Sequence, residues 1–484
     1  MRKALGAAAL VALSACSAKD LNITNPNSAT IAGATADPTA LQLLATGLLA
    51  EQRGTRSGMV SYIGRLGREA YIFTPQEGRN STQVNIGIVV NGVQKLDPTG
   101  FAVAPWAGQY GLLRDIFNFK NTVNGAATLS KEQKAAALGM AQTFEAMMLF
   151  EIEQTHDTLG GIVEVKANAS DLAPFVSRDS MFKYMLSTLD AAAASLTAAG
   201  GTAFPFPMPP GFKGFDTPST FLQFNRAMKA KVSAHYATAG GGAAAWQATL
   251  TALQASFLNA GATTRAAFDV GVYDTYAASP DTPNNLTQAT NTDLYAHSSF
   301  TTEVQNKANG SPDDRYTSKI RTGLPSRQGP PVGTAPTTLP STIGFSIWPT
   351  VSSSIPVIRN EELILIRAEA RLATGDKAGA IADINQVRVN SGGLPASTLT
   401  TASSDDAVLT GILYEKRYSL MMEGDRWIDL RRYNKLNTIV LDVPSGPTKT
   451  FVARVSPIPQ AECLVRAKAT GDLLGPNGQN DCAP

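Results

Sequence analysis

Arg359-Asn360-Glu361-Glu362-Leu363-Ile364-Leu365-Ile366-Arg367-Ala368-Glu369-Ala370-Arg371-Leu372 is the stretch on which the fold turns. It is rich in strong helix formers and stops at Gly375. Asp376 to Asn390 follows, with Ala380, Ile381, Ile384 and Val387 at helical spacing, and closes on Ser391-Gly392-Gly393. Helical reading resumes before Leu413 and runs to Tyr433, broken once at Gly424. Helices joined by short glycine turns are helical hairpins, so this end predicts a mainly α, TPR-like scaffold.

The same grammar extends toward the N terminus. Ser219 to Thr238 and Ala243 to Asn259 form a pair around Gly240-Gly241-Gly242. Met181, Met185, Leu189 and Ala192 share one face of a helix over about 178–198. The helix over about 130–157 starts at Ser130, with Gln133 placed for a capping box. Trp106 to Asn124 reads as a helix with Trp106 on its core side, and Thr39 to about Leu49 as another. Residues 39–260 are therefore expected to be an N-terminal helical scaffold, with a Phe/Pro/Gly loop at 202–218 and no clear strand in 75–105. Residues 261–350 differ, being dense in Thr, Asn, Ser, Pro and Gly. They read as a long irregular, loop-rich insert, and such a segment in a compact protein is often functional. Residues 351–435 are the C-terminal TPR-like helices, and 436–484 read as an irregular tail.

The first residues carry a targeting pattern. Met1-Arg2-Lys3, an apolar run from Ala4 to Leu13, then Ser14-Ala15-Cys16 have the order of a secretory signal. The run is too short for a bilayer span of about 20 residues. Residues 1–15 are expected to be a lipoprotein signal peptide, Cys16 the lipidation site, and 16–38 a tether. The 484 residues hold 41 Lys+Arg against 39 Asp+Glu. Losing Arg2 and Lys3 leaves 39 against 39, which argues against nucleic acid as a partner. Three His make a His-rich metal site improbable. No His-Glu-x-x-His, Gly-x-Ser-x-Gly or phosphate-loop motif occurs, so no metal, cofactor or catalytic residue is expected. Cys463 and Cys482 are candidates for a disulfide in an exported protein, worth roughly 3 kcal/mol on the chain-entropy argument.

Glu415, Arg417, Glu423, Arg426, Asp429 and Arg432 are close enough in sequence to form an ion-pair cluster around a helix–turn–helix corner. Their alternating signs favour a structural network over an acid/base or anion site. The C-terminal stretches resemble the SusD/RagB family of outer-membrane nutrient-binding lipoproteins. The residues that carry this are Arg359, Glu362, Leu365, Ala368, Glu369 and Ala370, then Ala380, Ile384, Asn385, Val387 and Arg388. Glu415, Arg417, Glu423, Gly424, Arg426, Asp429, Leu430 and Arg432 continue the pattern, and Pro457-Ile458-Pro459 with Glu462 closes it. Thr143 to Ala146, Gly160 to Val163 and Asp314-Arg315 are weaker echoes, with Glu145 standing where members usually carry Arg. The resemblance implies a TPR-like scaffold with an inserted loop region, anchored by acyl chains to outer-membrane lipid at the cell surface. It implies capture of a glycan or other nutrient for a TonB-dependent outer-membrane transporter, with no bond broken.

Sugar rings offer apolar faces to aromatics and polar rims to amides and charges. The insert and its border supply Tyr273, Tyr276, Tyr295, Tyr316, Phe345 and Trp348 as ligand-binding candidates, with Phe300, Asn284, Asn285, Asn291 and Asp293 nearby. Tyr62, Tyr71 and Arg79 are weaker ones, and His156 and His235 read as ordinary helix residues. A polar, weakly charged insert favours an uncharged ligand such as sugar. A TPR-like envelope scaffold that binds other proteins shares the lipobox and helices, but leaves the insert's aromatics and the C-terminal motifs unexplained.

Overall fold

The computed structural model describes residues 38–470, apart from Asn91, Ala169, Ala289 and Thr290. The signal segment, Cys16, most of the tether and Cys482 lie outside the described residues.

Six helices build the N-terminal part: α1 (Pro38–Leu66), α2 (Ala104–Gly125), α3 (Lys131–His156), α4 (Arg178–Ala199), α5 (Pro218–Tyr236) and α6 (Gly242–Gln254). Four build the next block: α7 (Asn360–Ala373), α8 (Lys377–Asn390), α9 (Asp405–Ser419) and α10 (Arg426–Arg432). From α2 to α6 each helix packs on the next; α5 and α6 then pack on α7, which packs on α8 and α9. The hairpin stack thus runs through both blocks although about 100 residues separate them in sequence, as a TPR-like scaffold requires.

Local chemistry sets the helix ends. Ser130 accepts from the Gln133 amide while the Gln133 side chain accepts from the Ser130 amide, the expected capping box. Ser177, Thr217, Asp376 and Ser404 cap α4, α5, α8 and α9 through their side chains. The 202–218 loop is an aromatic plug: Phe204, Phe206, Phe212 and Phe215 are buried against α3 and α5. Phe212 stacks on Phe221 with centroids 5.9 Å apart and meets Phe224 edge-on at 5.7 Å.

Four segments differ from the sequence expectation. Helix α1 continues past Leu49 to Leu66. Its glycines are not stops, and Gly64 is a packing device: a Cβ there would lie 2.6 Å from Met422 Sδ, and one on Gly67, just past the helix, 3.1 Å from the Trp427 amide. Within 75–105, β2 (Ile88–Val90) pairs with β3 (Val93–Lys95) as a hairpin. Across the insert, β1 (Ala70–Ile72) pairs with β5 (Leu294–Ala296), β4 (Gly271–Asp274) with β8 (Ile355–Arg359), and β6 (Ile320–Arg321) with β7 (Gly344–Phe345), all antiparallel. These short ladders tie the insert to both helical blocks, and β8 leads straight into α7. In the tail, Asp442 is buried on Arg68 at 2.7 Å, and Gln460–Thr470 forms α11. Cys463 on α11 is buried and disulfide-bonded; Cys482, its expected partner, lies outside the described residues.

Candidate functional site

A hollow of about 470 Å3 opens where β4, β8, the β6–β7 ladder and the turn after α9 meet. Tyr273, Ile347, Trp348, Pro356, Met421 and Met422 give it mainly apolar walls. The β4–β8 register slips between Val272 and Tyr273, and such irregularities commonly re-aim a side chain beside a binding site. Tyr273 is half-buried there. In the facing ladder Ile320 pairs with Phe345, and the Ser346 amide donates to Lys319 O at 2.8 Å. That pairing brings Lys319 and the Ile347-Trp348 loop to one wall.

The floor is a network of buried ions. Arg359 forks onto Glu423, with Nη2 donating to Oε1 at 2.8 Å and Nε to Oε2 at 3.1 Å, and Nη1 meets Glu361. Arg265 reaches Glu361 at 2.6 Å and grips Asp269 through two nitrogens at 2.7 and 2.8 Å. Arg315 bridges Asp313 and Glu415, both at 2.6 Å. Burial opposes ionisation of Glu361, but Arg359 and Arg265 outweigh it and hold the carboxyl well below the usual range. Among the described residues no carboxylate pairs with Lys319; its ammonium donates to the last carbonyls of α9, Tyr418 O at 3.1 Å and Ser419 O. Burial, aided by Arg359, lowers its pKa to about 8.

A second, wider hollow of about 730 Å3 adjoins the first. It shares Asp269, Tyr273 and Ser354 with it and continues past Phe215 and Phe257, with Lys213 and Gln223 on its rim. Phe257 is half-buried and meets Phe215 with centroids 4.8 Å apart. The 210–215 turn lies flat on β4 because Gly211 has no Cβ, which would stand 1.8 Å from Tyr273 O. The two hollows form one groove with Tyr273 as its ridge.

Residues 253–458, which contain most of this groove, match the profile of the SusD family. That region of the chain belongs to the SusD family. A SusD-like protein of Formosa agariphila is 36% identical over 90 residues; the alignment covers 17% of this chain and 18% of that protein. Solved structures extend the likeness in fold. NanU of Bacteroides fragilis aligns with a TM-score of 0.63 at 15% identity, over 91% of this chain and 97% of its own. A SusD superfamily protein of Bacteroides vulgatus gives 0.62 at 14% identity, over 89% and 97%. A SusD-like carbohydrate-binding protein of B. fragilis gives 0.60 at 15% identity, over 89% and 99%.

Within this SusD-family groove stand two of the aromatic candidates, Tyr273 and Trp348. Trp348 is on a loop as expected, but is only 2% exposed, packed on Phe345 at 5.9 Å. Tyr276, Tyr295, Tyr316 and Phe345 are buried away from the groove. Their hydroxyls serve the fold: Tyr276 donates to Arg53 O at 2.9 Å, Tyr295 to Pro325 O at 3.1 Å, and Tyr316 meets Thr301 Oγ1 at 2.9 Å. Asn284 donates to Ser353 O and Asp293 pairs with Arg327. Trp106 is in the core beside His156, which burial lowers to about pKa 4. Tyr62 bonds Ser456, Tyr71 bonds Asp442, and Arg79 pairs with Glu77 on the surface.

The six charged residues of the C-terminal motif do not form one cluster. Only Asp429 and Arg432 pair with each other, at 2.8 Å. Glu415 goes to Arg315 and Arg388, Glu423 to Arg359, Arg417 to Glu303, and Arg432 also to Glu369. Arg426 lies 4.0 Å from Glu303 and donates to Gly67 O. The helix corner spreads its charges outward, so their partners come from the insert, from β8, α7 and α8, and from Gly67 just past α1. Arg265, Asp269, Lys319, Ile347 and Phe257 are groove residues that the sequence reading passed over. The pairing of β4 with β8 was the missing signal for the first two.

Proposed function

We propose that this chain is a cell-surface lipoprotein, anchored to the outer membrane through acylated Cys16. It captures an oligosaccharide or polysaccharide in the Tyr273 groove and passes it to a TonB-dependent transporter. The observation that carries this reading is the continuity of the two hollows across Tyr273. Each is within the range of about 300–1,000 Å3 usual for a small-ligand pocket. Joined, they suit an extended ligand with several apolar ring faces, Tyr273 being central and Phe257 further along. The carboxylates of the floor favour binding over catalysis. Glu423 and Asp269 each have both oxygens on an arginine, which leaves neither as a ready proton donor or nucleophile. Membership of that region in the SusD family and the similarity to a carbohydrate-binding structure support the ligand class. Among the described residues no helix is long and apolar enough to cross a membrane, which agrees with an anchor outside them.

A glycan array on the purified chain, followed by calorimetry on the hit and Tyr273→Ala, tests the reading. Losing one stacking face should weaken binding by about tenfold, with the glycan recovered unaltered. Turnover of the glycan, or no saccharide bound at all, would overturn it.

A further inference from the structure

Away from the groove, the end of α3, the start of α4, the turn after α5 and the end of α10 enclose a polar cavity of about 110 Å3. A single water needs only about 10–15 Å3. Four guanidinium groups, from Arg178, Arg431, Arg432 and Arg454, line it with two carboxyls, Glu153 and Asp157. Most of these are matched within the fold. Asp157 pairs with Arg178 and lies 3.4 Å from Arg431 Nε. Arg432 is committed to Glu369 and Asp429, each at 2.8 Å.

Two groups are left over, and both line this cavity. Arg454 is exposed, and among the described residues its guanidinium has no ion pair or hydrogen bond. Glu153 is only 3% exposed, and its carboxyl has none either. A buried carboxyl without a partner is costly unless something fills the space before it. Asp157 at φ +46° and Asn434 at φ +54° also line the cavity. They are two of the four non-glycine residues held in the left-handed region among the described residues, and such strain gathers at ligand clamps.

We propose that this cavity binds a tetrahedral oxyanion of the sulfate or phosphate class, with Arg454, Arg178 and Arg431 as cationic donors and the Glu153 carboxyl lining the site beside them. Guanidinium forks match the oxygens of such an anion. Burial pushes the Glu153 carboxyl up to about 8; Arg431, Arg178 and Arg432 pull it down, while Asp157 adds to the rise. His235, from α5, also lines the cavity and is kept neutral chiefly by its burial. Near neutral pH the cavity therefore presents four cations against the single charge of Asp157. Deprotonating Glu153 places a second negative charge against the anion.

The test is titration of the full chain with inorganic sulfate at constant ionic strength, with chloride as the balancing ion, read by calorimetry and thermal shift. Saturable binding should appear with sulfate and not with chloride. Arg454→Ala alters an exposed side chain and should weaken sulfate binding by about tenfold. Affinity should fall as pH rises from 7 to 9 in the parent and hold steady in Glu153→Gln. Inorganic phosphate and glucose 6-phosphate form a second arm. Phosphate binding alone assigns the site to a free ion, and binding of both assigns it to a phosphoryl group entering past Arg454. The proposal fails if sulfate stabilises no more than chloride. It fails equally if Arg454→Ala binds unchanged, or if Glu153→Gln keeps the parent's fall with pH.

Discussion

Trp348→Ala separates a core residue from a ligand platform. Trp348 borders the inner hollow, yet its side chain is packed with Phe345, Tyr418, Met421 and Met422 in one cluster. Truncating a buried Trp to Ala costs about 3–5 kcal/mol, from lost contacts and the cavity left behind. In a chain of this length that should lower the melting temperature by about 3–5 °C. The indole nitrogen adds a second handle, because Nε1 is buried with no hydrogen-bond partner among the described residues. An unmet buried donor costs about 1–3 kcal/mol. Trp348→Phe removes that donor while keeping most of the ring, so it should stay within about 1 kcal/mol of the parent. Thermal and urea unfolding of both variants, with glycan titration on the same samples, reads the two effects apart. A Trp348→Ala melting temperature within 1 °C of the parent, on the order of its error, would refute the buried placement. Trp348→Phe falling as far as Trp348→Ala would show that the indole N–H is bonded after all.

Arg359→Ala leaves Glu423 and Glu361 buried without their shared counter-ion and should cost about 3–5 kcal/mol in denaturant unfolding; a loss below about 1 kcal/mol sinks that account. Glu369 provides the pH test. Its burial opposes ionisation, but Arg432 and Lys416 hold the carboxyl down to about 2. A depressed carboxyl stabilises the fold above its unfolded pKa near 4.5 and loses that contribution as pH falls toward 2, roughly 3 kcal/mol in all. Glu369→Gln should lower stability at pH 7 and flatten the acid limb, and a parent-like limb counts against it. Cys16→Ala should release the protein from membranes into the soluble fraction, so persistent membrane association would remove the acyl anchor from the proposal.

Helices with a cap, an apolar stripe and a glycine stop were legible from sequence, as α3, α4 and α8 show. Helix α1 was read too short because Gly54, Gly58 and Gly64 look like breakers, although the first two sit in open space within the helix and the third makes room for Met422. The insert's strands are two to five residues long, too few for alternation to register, and each pairs with a distant segment. Burial was the harder quantity. Tyr273 and Tyr276 stand three residues apart in similar composition, yet one forms the ridge of the groove and the other is buried away from it. Burial alternates from Gly271 to Tyr276, so their odd spacing puts the two rings on opposite faces of the segment.

The charges of the C-terminal motif show what this long-range dependence does for the site. Glu415 meets Arg315 across 100 residues of sequence, and Glu423 meets Arg359 across 64. Arg417 holds Glu303 of the insert. The first two pairs are buried, so removing one partner costs far more than the pair contributes. They act as clamps that fix the insert and β8 against α9, and Arg359, Glu423 and Arg315 are themselves the floor of the inner hollow. The walls come from elsewhere: Tyr273, Ile347 and Trp348 from the insert and its border, Phe215 and Phe257 from the N-terminal block. The residues that carry the family resemblance therefore set where the groove is, and the others set its shape. Wall residues with partial exposure, Tyr273 and Phe257 first among them, are where ligand preference can change without unfolding the clamp beneath.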